Sequence, residues 1–258
     1  MKLLIETSKS ILRNTQSYLG DYKISKQLIQ LCLKTPNTEI ILLSDELEKN
    51  YTLLKTTSLY KNCIFTNYSN LSKTIISNNF IPDIAFNPTL NINNLLHWRN
   101  NFKYHFPIIG LIHGIHKYKD LENLQDSKTY MTEHDSFICP SADTKDVLLK
   151  IGFKKNQITV ISYGVNSTKF KPINNKYELR KKNKINSEKT VLLILSRVSP
   201  ELKSDLTPLF RLIPQIKNHS NLLIYIVGHV SNESYVNELK NFAKISNIDH
   251  LIKWNHFP

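Results

Sequence analysis

Short apolar runs alternate with segments of helical periodicity along the whole chain, and few architectures accept that pattern. Candidate strands fall at Lys2 to Ile5, Glu39 to Leu43, Cys63 to Thr66, Asp83 to Phe86, Ile108 to Ile112, Ser136 to Cys139 and Gln157 to Ser162. Each is too short for a helix and rich in strand-favouring side chains. Between them, Tyr22 to Leu33 sets Ile24, Leu28, Leu31 and Cys32 on one helical face, and Ala142 to Ile151 aligns Val147, Leu148 and Ile151 before Gly152 stops it. Strand and helix in repeated order imply βαβ units: an α/β fold with a parallel sheet and helices laid over it.

The pattern breaks once. After Pro172, residues Ile173 to Lys189 lose apolar periodicity and gain charge, as a short basic helix in a linker or a surface excursion would. Alternation then restarts, with strands at Thr190 to Leu195, Leu222 to Val227 and Leu251 to Trp254, and helices at Asp205 to Ile216 and Asn232 to Ile245. Pro208 is tolerated in the first turn of the former. The expected organisation is a first Rossmann-like domain over 1–172, a linker over 173–189 and the start of a second over 190–258. Three strands and two helices make about half of a doubly wound domain, so the second is expected to be incomplete.

With 258 residues the chain can build two medium cores. No run approaches the roughly 18 apolar residues of a spanning helix, and the amino terminus turns polar too early for a signal peptide, so a cytoplasmic location is expected. The formal charge of +13 calls for a polyanion, an anionic membrane surface or an anionic substrate. Lysines are spread along the chain, with one denser run at Lys176 to Lys184 as the candidate membrane-facing element. Basic patches interleaved with aromatics are missing, so a nucleic-acid partner is not expected. Cys32, Cys63 and Cys139 are scattered in apolar segments and read as buried thiols. His113 and His116 have no third ligand nearby in sequence, and no metal site is expected.

The stretch most suggestive of chemistry lies where the alternation restarts. The apolar strand Thr190 to Leu195 empties directly into a loop carrying Ser196, Arg197 and Lys203. Two cations then sit at a strand's carboxyl end, where open α/β sheets bind ligands, and diphosphate is the ligand they suggest. Gly228, ending the next strand, permits either close approach of a nucleotide or a tight turn. Ser141 and Asp205 read as helix-start residues, and Glu201 as a residue that orders the loop.

Three segments together resemble family 4, GT-B-fold glycosyltransferases. Ile-Ser-Tyr-Gly-Val-Asn-Ser-Thr-Lys-Phe-Lys-Pro, from Ile161 to Pro172, resembles the interdomain pattern Ile-x-Asn-Gly-Val-Asp-x-x-x-Phe-x-Pro, with Gly164, Val165, Phe170 and Pro172 at matching positions. Leu195 to Glu201 resembles the loop Gly-Arg-Leu-Ser-Pro-Glu-Lys-Gly, and Ile226-Val227-Gly228 the family's Ile-Val-Gly strand end. Upstream, the strand ending in His113 is similar to one that closes on a histidine at the acceptor side of the cleft. Ser196 replaces the usual glycine, the lysine falls at Lys203 in place of Leu202, and paired glycines after the first strand are missing.

The resemblance implies a retaining glycosyltransferase that moves a sugar from a nucleotide-sugar donor to a glycan or lipid-linked saccharide, in the cytoplasm or at the inner membrane face, as in envelope polysaccharide synthesis. It implies donor diphosphate binding by Arg197 and Lys203, with Ser196 and Gly228 close to the nucleotide, and a catalytic position for His113 with its ring toward the crevice between the domains. No metal or other cofactor is expected, since the two cations would offset the charge on the leaving diphosphate. The family's paired glutamates for sugar and ribose, spaced Glu-x-x-x-x-x-x-x-Glu, are not among these residues. The alternatives are therefore an inactive, truncated remnant of such an enzyme or, from another class, a basic module binding anions or nucleic acid.

Overall fold

The computed structural model describes residues 1–7, 20–44, 60–115, 117–201, 203 and 205–257, with backbone alone for 20–26, 256 and 257. The chain divides into two compact units, Met1–Val165 and Asn166–Pro258.

In the first unit the order is β1 (Lys2–Glu6), α1 (Gly20–Lys34), β2 (Glu39–Leu43), β3 (Cys63–Thr66), α2 (Leu71–Ser77), β4 (Ile84–Asn87), α3 (Asn93–Asn101), β5 (Ile108–Leu111), α4 (Tyr118–Tyr130), β6 (Ser136–Cys139), α5 (Ala142–Lys150) and β7 (Ile158–Val160). The seven strands form one parallel sheet in the order β3-β2-β1-β4-β5-β6-β7. Its inner strands are mainly apolar because both faces are covered, whereas the edge strand β7 has Thr159 and Val160 exposed. Leu4, Ile41, Ala85, Ile108 and Phe137 pack on one side against Leu71, Leu95, Leu96, Leu124 and Leu148, while Leu3, Ile5, Ile40 and Leu42 pack on the other against Ile29 and Tyr60. Strand order reverses between β1 and β4, which makes that pair the topological switch point.

One polar assembly is sunk in this core. Arg99 of α3 and Asp135, just before β6, are 1% and 0% exposed and meet as a two-pronged ion pair at 2.5 and 2.8 Å. Asp135 also accepts bonds from the amides of Ile108 and Thr132 and from the Thr132 hydroxyl, and Arg99 donates to the Phe106 carbonyl. The pair thus ties α3 to the amino ends of β5 and β6, at the opposite end of the sheet from any ligand crevice.

The second unit contains α6 (Lys176–Lys182), β8 (Thr190–Leu195), α7 (Thr207–Leu212), β9 (Leu222–His229), α8 (Glu233–Ile245) and β10 (Ile252–Phe257). Its strands form a smaller parallel sheet, β10-β9-β8. Phe210 and Ile213, with Val236, Leu239 and Ala243 of α8, cover the face that carries Ile194, Ile224, Ile226 and Trp254. Successive strand residues point to opposite faces. Leu193 and Leu195 therefore lie on the other face, where they are 56% and 74% exposed.

Four sequence expectations shift. In α1, Leu31 is exposed and Ile29 is fully buried, so the packed residues are Ile29, Cys32 and Leu33, with Leu28 half-buried; Ile24 is outside the described side chains. In α5, Leu148 is buried but Val147 is 37% exposed. The helix expected from Asp205 to Ile216 is α helical only over Thr207–Leu212 and continues as a 3-10 turn, Ile213–Gln215, because Pro214 has no amide hydrogen to donate. β7 is shorter than expected, since Gln157 belongs to the 3-10 turn before it.

Other signals are realised as read. Ser141 Oγ accepts the Thr144 amide and caps α5, and Gly152, with φ of 91°, ends it. The spacer holds the short helix α6, and Arg180 within it donates to the carbonyls of Asn186, Ser187 and Lys189. That cation of the Lys176 to Lys184 run is committed to the fold. Lys176, Lys181, Lys182 and Lys184 remain exposed.

Candidate functional site

In the second unit the candidate loop is an extension of the sheet. Past the end of β8, the Ser196 amide still donates to the Val227 carbonyl at 3.1 Å and the Val198 amide to the His229 carbonyl at 3.0 Å. Val198 is 1% exposed and forms a parallel bridge with Val230. Arg197 is thereby pinned between two ladder bonds, half-buried, at the carboxyl end of the sheet. Lys203 follows at the far end of the loop, where its amide donates to the Ser199 carbonyl at 3.1 Å and its side chain is exposed. Among the described residues, none forms a hydrogen bond or ion pair with either cationic side chain.

Gly228 explains how the two strand ends come so close. Its φ is +157°, and a Cβ built there would stand 1.9 Å from the Ser196 carbonyl oxygen and 2.7 Å from the carbon. That neighbour is backbone and cannot swing aside. Beside the two readings for Gly228, a nucleotide's close approach or a tight turn, the structure shows a third use, close approach by the Ser196–Arg197 backbone itself. Replacing Gly228 with valine is expected to push the Arg197 loop off β9, lowering the thermal midpoint and weakening any phosphate binding together; unchanged binding of UDP by calorimetry in a folded Gly228→Val protein would contradict this.

The loop is fixed again where it enters α7. Asp205 Oδ1 accepts the Thr207 amide at 2.9 Å and the Tyr235 hydroxyl at 2.8 Å, while Tyr235 Oη accepts the amides of Leu206 and Thr207. Hydrogen bonds from the Thr207 backbone, the Thr207 side chain and Tyr235 hold the Asp205 carboxyl below the usual carboxylate range. Asp205 is thus a helix-start residue, and Tyr235 on α8 is its anchor. Glu201, expected to order the loop, is exposed. That ordering comes from the ladder at one end and Tyr235 at the other.

In the first unit, polar side chains gather at the carboxyl ends of the strands. At the β1/β4 switch point, Asn87 donates to Glu6 Oε2 at 2.6 Å and to the Asn91 carbonyl at 2.9 Å, and its Oδ1 accepts the Thr89 amide and hydroxyl. Thr7 is buried, its hydroxyl on the Leu43 carbonyl. His113, just past β5, has its Nε2 at 2.9 Å from the Pro88 carbonyl and its Nδ1 at 2.8 Å from Tyr163 Oη, with the two rings stacked at 5.9 Å. Ser196, Arg197 and Gly228 are therefore brought together and Lys203 shares their loop, whereas His113 belongs to the other unit with Pro88 and Tyr163. Glu6, Asn87, Tyr163 and Tyr235 were not anticipated. The position of Tyr163, where the family pattern has asparagine, was the one available signal.

The cysteines are free thiols. Burial pushes Cys63 up to about 12 and Cys139 up to about 11, and raises the half-buried Cys32 as well. None is poised as a nucleophile. Among the described residues, no group of three or more His, Cys, Asp or Glu side chains is placed to hold a metal, and no helix is long and apolar enough to cross a membrane. His116 lies outside the described residues.

The architecture, a seven-stranded parallel sheet followed by a second, smaller one, is that of GT-B glycosyltransferases. HepE of Anabaena, solved in complex with UDP, superposes with a TM-score of 0.71 at 15% identity, over 100% of this chain and 69% of HepE. The lipopolysaccharide outer core galactosyltransferase WaaB gives 0.69 at 14% identity, over 100% of this chain and 68% of WaaB. A glycosyltransferase from Rickettsia africae gives 0.67 at 15%, over 100% and 68%. The sequence matches no established family profile and no curated protein.

Proposed function

We propose that this protein is a nucleotide-sugar glycosyltransferase that moves a sugar, with retention of configuration, onto a glycan or lipid-linked saccharide at the cytoplasmic face of a membrane. One observation carries the reading: Arg197 is pinned by ladder bonds at the carboxyl end of β8, on a loop that also bears Lys203 and rests on a glycine. Sugar transfer leaves a diphosphate of growing negative charge, and only interactions stronger in the transition state than in the ground state lower the barrier. Arg197 offers two forked donors and Lys203 a mobile point charge, so the pair can stabilise the leaving group without a metal. HepE, solved with UDP-glucose as well as UDP, supports the nucleotide-sugar part of the reading.

Calorimetric titration with UDP-, GDP- and ADP-sugars tests it. Binding of one of them, lost on Arg197→Ala, is the expected result, and binding of none overturns the proposal.

A further inference from the structure

The ring of His113 has no nitrogen left for a substrate. Pro88 offers only carbonyl lone pairs to Nε2, so Nε2 carries the hydrogen. In the neutral imidazole Nδ1 is then bare and accepts the Tyr163 hydroxyl across 2.8 Å, with the Ile112 carbonyl a second, longer acceptor for that hydroxyl at 3.4 Å. Burial raises the Tyr163 phenol, which keeps that hydrogen in place at neutral pH. With its hydrogen committed inward, Oη presents lone pairs alone, on a side chain that is 49% exposed. Such an oxygen accepts a hydrogen bond and disfavours carboxylates and phosphates, which bring only lone pairs of their own.

We propose that Tyr163 is a substrate-contacting residue of this protein, its Oη accepting a hydrogen bond from a sugar hydroxyl, and that His113 is a positioning residue that aims it. The proposal rests on the transferase reading and reassigns the histidine within it. His113 links three strand ends through one ring: the Pro88 carbonyl after β4, its own backbone after β5 and Tyr163 after β7. Stacking at 23° between the ring planes limits rotation of the phenol, so the direction of Oη is fixed before substrate arrives.

The test uses the full chain with 15N-labelled histidine and UDP-glucose as the probe. Tyr163→Phe keeps the stacked ring and removes only Oη. The His113 Nδ1 resonance should shift on that substitution while Nε2 stays, and an unmoved Nδ1 overturns the proposal. UDP-glucose turnover should lose about fivefold to tenfold in kcat/KM in Tyr163→Phe, the size of one hydrogen bond. The double variant with His113→Ala should lose no more than the worse single, because the two act as one unit. If His113→Ala impairs turnover and Tyr163→Phe does not, the histidine meets the substrate itself and the proposal fails. A wild-type protein that binds no nucleotide sugar overturns the transferase reading and this role with it, whereas unimpaired turnover by Tyr163→Phe overturns this role alone.

Discussion

Arg197→Ala is expected to lower kcat for nucleotide-sugar turnover by about 100- to 1,000-fold, the usual loss when one preorganised donor to a developing anion is removed. The size follows from how the residue is held: ladder bonds on either side of Arg197 fix its backbone before any ligand binds. Arg197→Lys keeps the charge and loses the fork, so it should fall between the two. Lys203→Ala should cost less, since an exposed side chain at the loop's far end loses more freedom on binding. Steady-state and single-turnover rates separate the cases. A fall in kcat with little change in KM marks transition-state stabilisation, and wild-type rates in Arg197→Ala would reduce the loop to a solvated turn.

Asp135→Asn should destabilise the first unit by about 3 to 5 kcal/mol, the range for leaving one partner of a buried ion pair uncompensated. The guanidinium of Arg99 would stay in the core with one charge and no anion. Replacing both residues with apolar side chains, Arg99→Met with Asp135→Leu, removes the stranded charge and should recover part of the loss. Trp98 lies beside Arg99 on α3 and is 7% exposed, so its fluorescence in a Trp254→Phe background reports urea unfolding of this unit. An unshifted midpoint for Asp135→Asn would show that the pair contributes nothing net.

The sequence announces strands better than the partners of side chains. Glu39–Leu43, Cys63–Thr66 and Ser136–Cys139 appear in the structure with the bounds their apolar runs indicate, because a strand covered on both faces leaves a continuous signal, and Thr190–Leu195 does so too although one of its faces is open. In α1, apolar residues at Leu28, Ile29, Leu31, Cys32 and Leu33 describe two overlapping stripes, and only packing against the sheet selects the one with Ile29. The Ser196, Arg197 and Gly228 grouping was legible since all three lie at strand ends, where neighbours follow from parallel order. The Asp135–Arg99 pair is 36 residues apart and the Tyr163–His113 contact 50 apart. Neither has a local pattern to betray it, because each is created when distant strand ends become adjacent.

The exposed leucines of β8 bear on handling as well as on shape. Sheets that end in water usually guard their edge strand with lysine, proline or a bulge. Between Thr190 and Leu195 this strand has none of these, and Leu192, Leu193 and Leu195 are all open to solvent. A strand so made offers its open backbone groups and leucine side chains as a template for pairing with another chain.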